Sequence, residues 1–210
     1  MERRVLVKVC GMREGENIQS IARCGVDYLG FIFVQGTPRD VTPGHSAALP
    51  SLVPPHVKTV AVFRNAEHDE IEDTVHSHRF SAIQLHGLED SGYIAECKRR
   101  LPQCKIFKAA SLSENLSFGK KLPTGADFFI FDSTNPGSGE EFDWEQIKLY
   151  RGETPFFLAG GIGPQNIRRV RKVIEQYPLC VGVDLNSKVE VQPGLKSESA
   201  VRAVVEGIRI

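Results

Sequence analysis

Short apolar runs recur along the chain at residues 5–9, 28–33, 59–63, 82–85, 105–108, 128–131, 156–159 and 180–183. Each is four to six residues long and rich in Val, Ile, Leu or Phe. Strands buried on both faces of a parallel sheet read this way, because neither face turns to water. Their spacing is roughly 25 residues, the length of one strand, one helix and two connections.

The segments between the runs carry helix signals. Thr42-Pro43 sets a hydroxyl cap before a first-turn proline, and Pro164 likewise opens a helix over 165–176. Asp90 precedes 91–100 and Asp143 precedes 144–150, each as an acidic cap. Within 165–176, Ile167, Val170, Val173 and Ile174 form one apolar stripe, with Lys and Arg on the other face. Val201, Val204, Val205 and Ile208 repeat the pattern in 197–208. Eight strands alternating with helices predict an α/β chain folded as a (β/α)₈ barrel, with residues 1–210 as one domain. The rival, an open doubly wound sheet, ordinarily carries a glycine-rich turn after its first strand. Cys10-Gly11-Met12-Arg13 is not such a turn.

Composition narrows the function. Lys+Arg and Asp+Glu both number 26, so the formal net charge is zero and the basic excess of a nucleic-acid binder is missing. No stretch approaches the ~18 apolar residues of a membrane span. The first apolar run is cut short by Lys8, unlike that of a secretory leader, so a cytoplasmic protein is expected. The five cysteines include no C-x-x-C pair, which argues against a disulfide framework or a thiolate zinc site. His76 and His78 fall late in a helix with no third ligand type nearby, and read as a solvated face rather than a metal pair.

In a barrel the chemistry collects where the strands end. The polar residues following the runs are Cys10-Gly11, residues 35–39, Arg64-Asn65, His86-Gly87, Ser111, Asp132-Ser133, Gly160-Gly161 and residues 184–187. Gly160 and Gly161 lead towards a helix and suit a phosphate cradle, with Asp184 and Ser187 in the next loop to complete it. A plain tight turn explains the glycines as well. Cys10 reads either as a buried strand cysteine or as a base or nucleophile whose pKa is lowered in an electropositive, partly exposed mouth. Asp132 leaves the apolar strand 128–131 and reads as a general acid of raised pKa or as a solvated loop aspartate. Arg39 suits a carboxylate clamp or the surface, and His86 can stack on or hydrogen-bond a ring.

Taken in order, these segments closely resemble the phosphoribosylanthranilate isomerase family of tryptophan biosynthesis. The resemblance rests on Lys8-Val9-Cys10-Gly11-Met12, Leu29-Gly30-Phe31-Ile32-Phe33, Thr37-Pro38-Arg39 and Val60-Ala61-Val62-Phe63-Arg64-Asn65. It continues through Ile83-Gln84-Leu85-His86-Gly87, Phe131-Asp132-Ser133, Gly137-Ser138-Gly139 and Phe142-Asp143-Trp144. Leu158-Ala159-Gly160-Gly161, Gly182-Val183-Asp184, Val189-Glu190 and Pro193-Gly194-Leu195-Lys196 complete it, so it runs from first strand to last helix.

The resemblance implies an Amadori rearrangement of N-(5'-phosphoribosyl)anthranilate, on a phosphorylated small molecule, with no metal and no cofactor. It implies that Asp132 protonates the furanose ring oxygen as general acid and that Cys10, as thiolate, removes the C2' proton as general base. It assigns Arg39 to the anthranilate carboxylate, and Gly161 and Ser187 to the phosphate. A monomer or homodimer is expected. The chain departs from the family pattern at Pro136-Gly137-Ser138-Gly139, where the proline stiffens a loop, at Gln35-Gly36, and at Asn186-Ser187-Lys188, where a lysine replaces glycine. A sister isomerase of histidine biosynthesis, with aspartates at both catalytic positions, is the nearest alternative. A phosphate-binding barrel without catalysis is the other.

Overall fold

The computed structural model describes residues 4–42, 49–111, 122–132 and 144–209. Eight parallel strands close into a barrel in sequence order. They are β1 (Leu6–Cys10), β2 (Tyr28–Ile32), β3 (Lys58–Phe63), β4 (Ala82–Leu85), β5 (Lys105–Ala110), β6 (Phe128–Phe131), β7 (Phe156–Leu158) and β8 (Cys180–Leu185). Pairing of β1 with β8, from Leu6 opposite Gly182 to Val9 opposite Leu185, closes the ring. Five α-helices lie among the described residues: α1 (Gly15–Ala22), α2 (His68–His78), α3 (Ser91–Arg100), α4 (Ile167–Gln176) and α5 (Glu198–Ile208). A hairpin of β9 (Glu190–Gln192) and β10 (Leu195–Lys196) stands between β8 and α5.

The expected alternation is therefore present, with differences. Between β2 and β3 the described part is the short 3₁₀ helix Leu49–Leu52, and Trp144–Leu149 is likewise a 3₁₀ helix rather than an α-helix. Pro43, Ser133, the loop 136–139, Phe142 and the Asp143 cap lie outside the described residues. The Asp90 side chain accepts a bond from the Tyr93 N–H, and that of Ser197 from the Ala200 N–H, so both helices begin on a capping side chain. His76 and His78 do fall in the last turn of α2.

Two apolar layers explain why each strand is hydrophobic throughout. One set of side chains packs outward against the helices, among them Val7, Val9, Leu29, Phe31 and Ile83. The other fills the barrel, with Tyr28, Val60, Phe107, Ile130 and Phe157 in one buried group. Tyr28, Phe107 and Phe157 meet edge to face with centroids 5.4–6.1 Å apart, which plugs the interior. The barrel thus has a packed floor, and the described residues leave a cavity above it at the open end.

Candidate active site

Alternate side chains along a barrel strand point inward, so the inner row of each strand climbs from the floor to the mouth. On β1 that row runs Leu6, Lys8, Cys10; on β4 it runs Ala82, Gln84 and then His86. On β6 it runs Phe128, Ile130 and then Asp132. Each row begins apolar and ends polar. Above the floor is a cavity of about 180 Å³ lined by all the candidate residues: Cys10, Arg39, His86, Asp132, Gly160, Gly161, Asp184 and Ser187. Cys10 and Asp132 belong to β1 and β6, on different sides of the ring.

The turn after β7 holds the conformation its glycines suggest. Gly160 and Gly161 have φ of 78° and 68°, a region that only glycine enters without strain. Asn166 ties this turn down. Its Nδ2 donates to the Gly161 carbonyl at 2.9 Å, and its Oδ1 accepts from the Gly163 N–H at 3.0 Å. Because that side chain serves the loop, it does not cap α4, which starts at Ile167 rather than directly after Pro164. Lys188 and Ser187 line the cavity from the neighbouring loop.

Arg39 arrives from the loop after β2 and passes over Gly11. A Cβ on Gly11 would sit 2.7 Å from Arg39 Cδ, and its φ is 79°, so no other residue fits there without strain. The Arg39 guanidinium donates from Nε and Nη2 to the two oxygens of Glu190 on β9, at 2.9 and 2.6 Å. Lys196 on β10, fully buried, donates to the same carboxylate at 2.6 Å and to Asn186 Oδ1 at 2.7 Å. Burial opposes the charge on Glu190, but Arg39 and Lys196 outweigh it and hold its pKa down at about 2. Neither Glu190 nor Lys196 was legible as a site residue from local pattern, since the hairpin alone brings them to the mouth.

Cys10 corrects one expectation. The thiol is only 4% exposed, and burial pushes its pKa above the ordinary value even though Lys8 and Lys196 pull it down. Lys8 lies beneath it and donates to both Asp184 oxygens at 2.9 Å, a fully buried ion pair across the β1–β8 seam. Asp184, expected at the phosphate, is thus a strand residue engaged with Lys8. His86 is held neutral. Burial first, then Lys108 and Lys8, lower its pKa to about 4. The Gln84 amide, 3.1 Å from its Nδ1, fixes the ring.

A second buried pair lies near His86. Lys108 of β5 meets Glu89 at 3.0 Å and donates to the Gly87 carbonyl at 2.8 Å. Glu89 in turn accepts from the Asn65 and Gly87 N–H groups, both at 2.8 Å. No three His, Cys, Asp or Glu side chains among the described residues are placed to hold a metal ion.

The cavity therefore offers a thiol, a carboxyl, a fixed neutral imidazole, a guanidinium and a glycine turn beside a lysine. Such a set suits an elongated anion with proton transfers between its ends. Comparison with known proteins agrees. Residues 7–207 match the family model described as N-(5'phosphoribosyl)anthranilate (PRA) isomerase. The chain is 34% identical to the N-(5'-phosphoribosyl)anthranilate isomerase of Parabacteroides distasonis, over 97% of this chain and 93% of that one. It is 35% identical to that of Petrotoga mobilis, over 97% of both. Among solved structures it resembles the Thermus thermophilus isomerase with a TM-score of 0.82 and 28% identity, covering 97% of this chain and 98% of that chain. An isomerase in complex with reduced 1-(o-carboxyphenylamino)-1-deoxyribulose 5-phosphate gives a TM-score of 0.80 at 26% identity, covering 98% of each.

Proposed function

The chain belongs to the N-(5'-phosphoribosyl)anthranilate isomerase family, and from that premise we propose which of its side chains carry the reaction. The activity itself is the aldose–ketose isomerisation of N-(5'-phosphoribosyl)anthranilate in tryptophan biosynthesis.

Asp132 is the general acid. It gives a proton to the furanose ring oxygen as the bond from C1' to that oxygen breaks and the anilino nitrogen lone pair forms a C=N bond. Cys10, as thiolate, then takes the C2' proton. The C2'–H electrons form C1'=C2', and the C=N pair returns to nitrogen. The resulting enolamine tautomerises to the ketone. Two groups on different sides of the ring suit two proton transfers at different substrate atoms. The Nε/Nη2 edge of Arg39 is taken by Glu190, so the anthranilate carboxylate binds its Nη1/Nη2 edge, the guanidinium held ready by the ion pair. Gly160, Gly161 and Ser187 bind the phosphate, and neutral His86 donates a hydrogen bond near the ring.

The observation that carries this reading is the placement of Cys10 and Asp132 in one cavity, with Arg39 and the glycine turn also lining it. Cys10→Ser should lose several orders of magnitude in kcat with little change in affinity for a product analogue, since a hydroxyl is a far poorer base than a thiolate. Asp132→Asn should do the same. Full activity in either variant defeats its assignment. Residues 1–210 act as one domain in this reading, and a monomer or homodimer is proposed, a Thermotoga maritima relative being dimeric. All five cysteines are free, which fits a reducing compartment, and we place the enzyme in the cytoplasm.

A further inference from the structure

Five charged side chains surround Cys10 inside the mouth, and their charges do not cancel. Lys8 is paired with Asp184, whereas Lys196 and Arg39 share the single carboxylate of Glu190. Three cations against two carboxylates leave one positive charge over. Among the described residues, the charged groups at or near the cavity from the other strands do not remove it. His86 is neutral, Lys108 is balanced by Glu89, and Arg64 and Lys188 add charge where Asp132 subtracts it.

Lys8 is the cation best placed to act on the thiol. It stands two positions before Cys10 on the inward row of β1, and a methyl group on Gly30 would touch both, 3.1 Å from Sγ and 3.4 Å from Nζ. Gly30 thus leaves the space in which thiol and ammonium approach. Lys8 has no exposed surface, and Asp184 grips it with both oxygens, so its Nζ is fixed. Such a pair is a poor device for stability alone. Removing two charges from water costs several kcal/mol per ion, and apolar replacements are often neutral or stabilising.

We infer that Lys8, its ammonium fixed beside Cys10 by Asp184, is a positioning residue that, within this net-positive cluster, allows a buried thiol to ionise. The inference rests on Cys10 as the base. It explains how a sulfur only 4% exposed yields a thiolate, and why an ion pair stands in the barrel between its apolar floor and the mouth.

The test is alkylation of Cys10 by iodoacetamide in the full-length protein, followed against pH by peptide mass mapping, beside the pH profile of kcat/KM. Lys8→Met should slow Cys10 alkylation near pH 8 about tenfold or more and move the acid limb of kcat/KM upward by a similar factor in proton concentration. Lys8→Arg should restore part of both. The double variant Lys8→Met, Asp184→Leu removes both charges together, so it should fold while keeping the slow alkylation. A folded double variant whose alkylation profile superimposes on the wild type overturns the inference. One that fails to fold overturns it too, because the pair would then be structural. Failure of the base assignment is a separate result, seen as full turnover by Cys10→Ser while alkylation in Lys8→Met still shifts.

Discussion

His86 shows how much a single side chain is decided by its surroundings. With the Gln84 amide nitrogen donating to Nδ1, the ring proton sits on Nε2, and the imidazole faces the cavity as a neutral donor. Burial, then Lys108 and Lys8, take its pKa from 6.5 to about 4. A histidine whose folded value is depressed binds more protons when unfolded across that window. Its contribution is therefore complete above pH 6.5 and is lost as pH falls towards 4, amounting to no more than about 3 kcal/mol. Denaturation midpoints measured from pH 7.5 to 4 should fall more steeply for the wild type than for His86→Gln. Parallel curves would place the titration elsewhere. The type of this residue was legible at the strand end, but its charge state was not, because Lys108 and Lys8 come from strands distant in sequence.

At the scale of elements, the strands were the legible part, and the reason is their burial on both faces. The observed bounds of β4 and β6 coincide with the apolar runs, and the others differ by one or two residues at an end. Helix starts were harder where a polar side chain had a choice of partners. Pro164 signals a helix, yet α4 waits until Ile167 because Asn166 turns back to the glycine loop. The candidate site was legible wherever it sits on a strand end, as with Cys10 and Asp132, which line one cavity. It was hidden where a hairpin carries residues in, as with Glu190 and Lys196, whose partners Arg39 and Asn186 lie on other loops. Asn166 is the element-scale test. Asn166→Ala removes both bonds and leaves the buried Gly163 N–H without its acceptor, which should destabilise the protein by about 1–3 kcal/mol. The glycine turn would then lose its fixed shape, so KM should rise several-fold while kcat holds. A variant with lowered stability but unchanged KM would mean the turn binds nothing.

Across the whole molecule the charges cancel, with 26 basic and 26 acidic residues, yet they are not spread evenly. Most ion pairs on the outer helices are self-balanced, such as Arg99 with Glu96 and Arg202 with Glu198. At the mouth Arg64 and Lys188 line the cavity together with the surplus charge that Arg39 and Lys196 leave around Cys10, and among the described residues the one unburied carboxyl set against them is Asp132. A cleft of one sign with apolar walls concentrates an oppositely charged ligand even on a neutral protein. The substrate carries a phosphate and a carboxylate, so capture should be electrostatic. Raising ionic strength shortens the reach of those charges, from about 30 Å at 0.01 M to about 10 Å at 0.1 M. We therefore expect kcat/KM to fall as salt rises over this range while kcat stays flat. Lys188→Met should make the slope shallower and lower the value at low salt, because Lys188 is exposed and lies beside the glycine turn. Net charge alone predicts a flat line for both proteins. A salt-independent kcat/KM would show that the local field at the mouth does not guide binding, and that the cations there act only on contact.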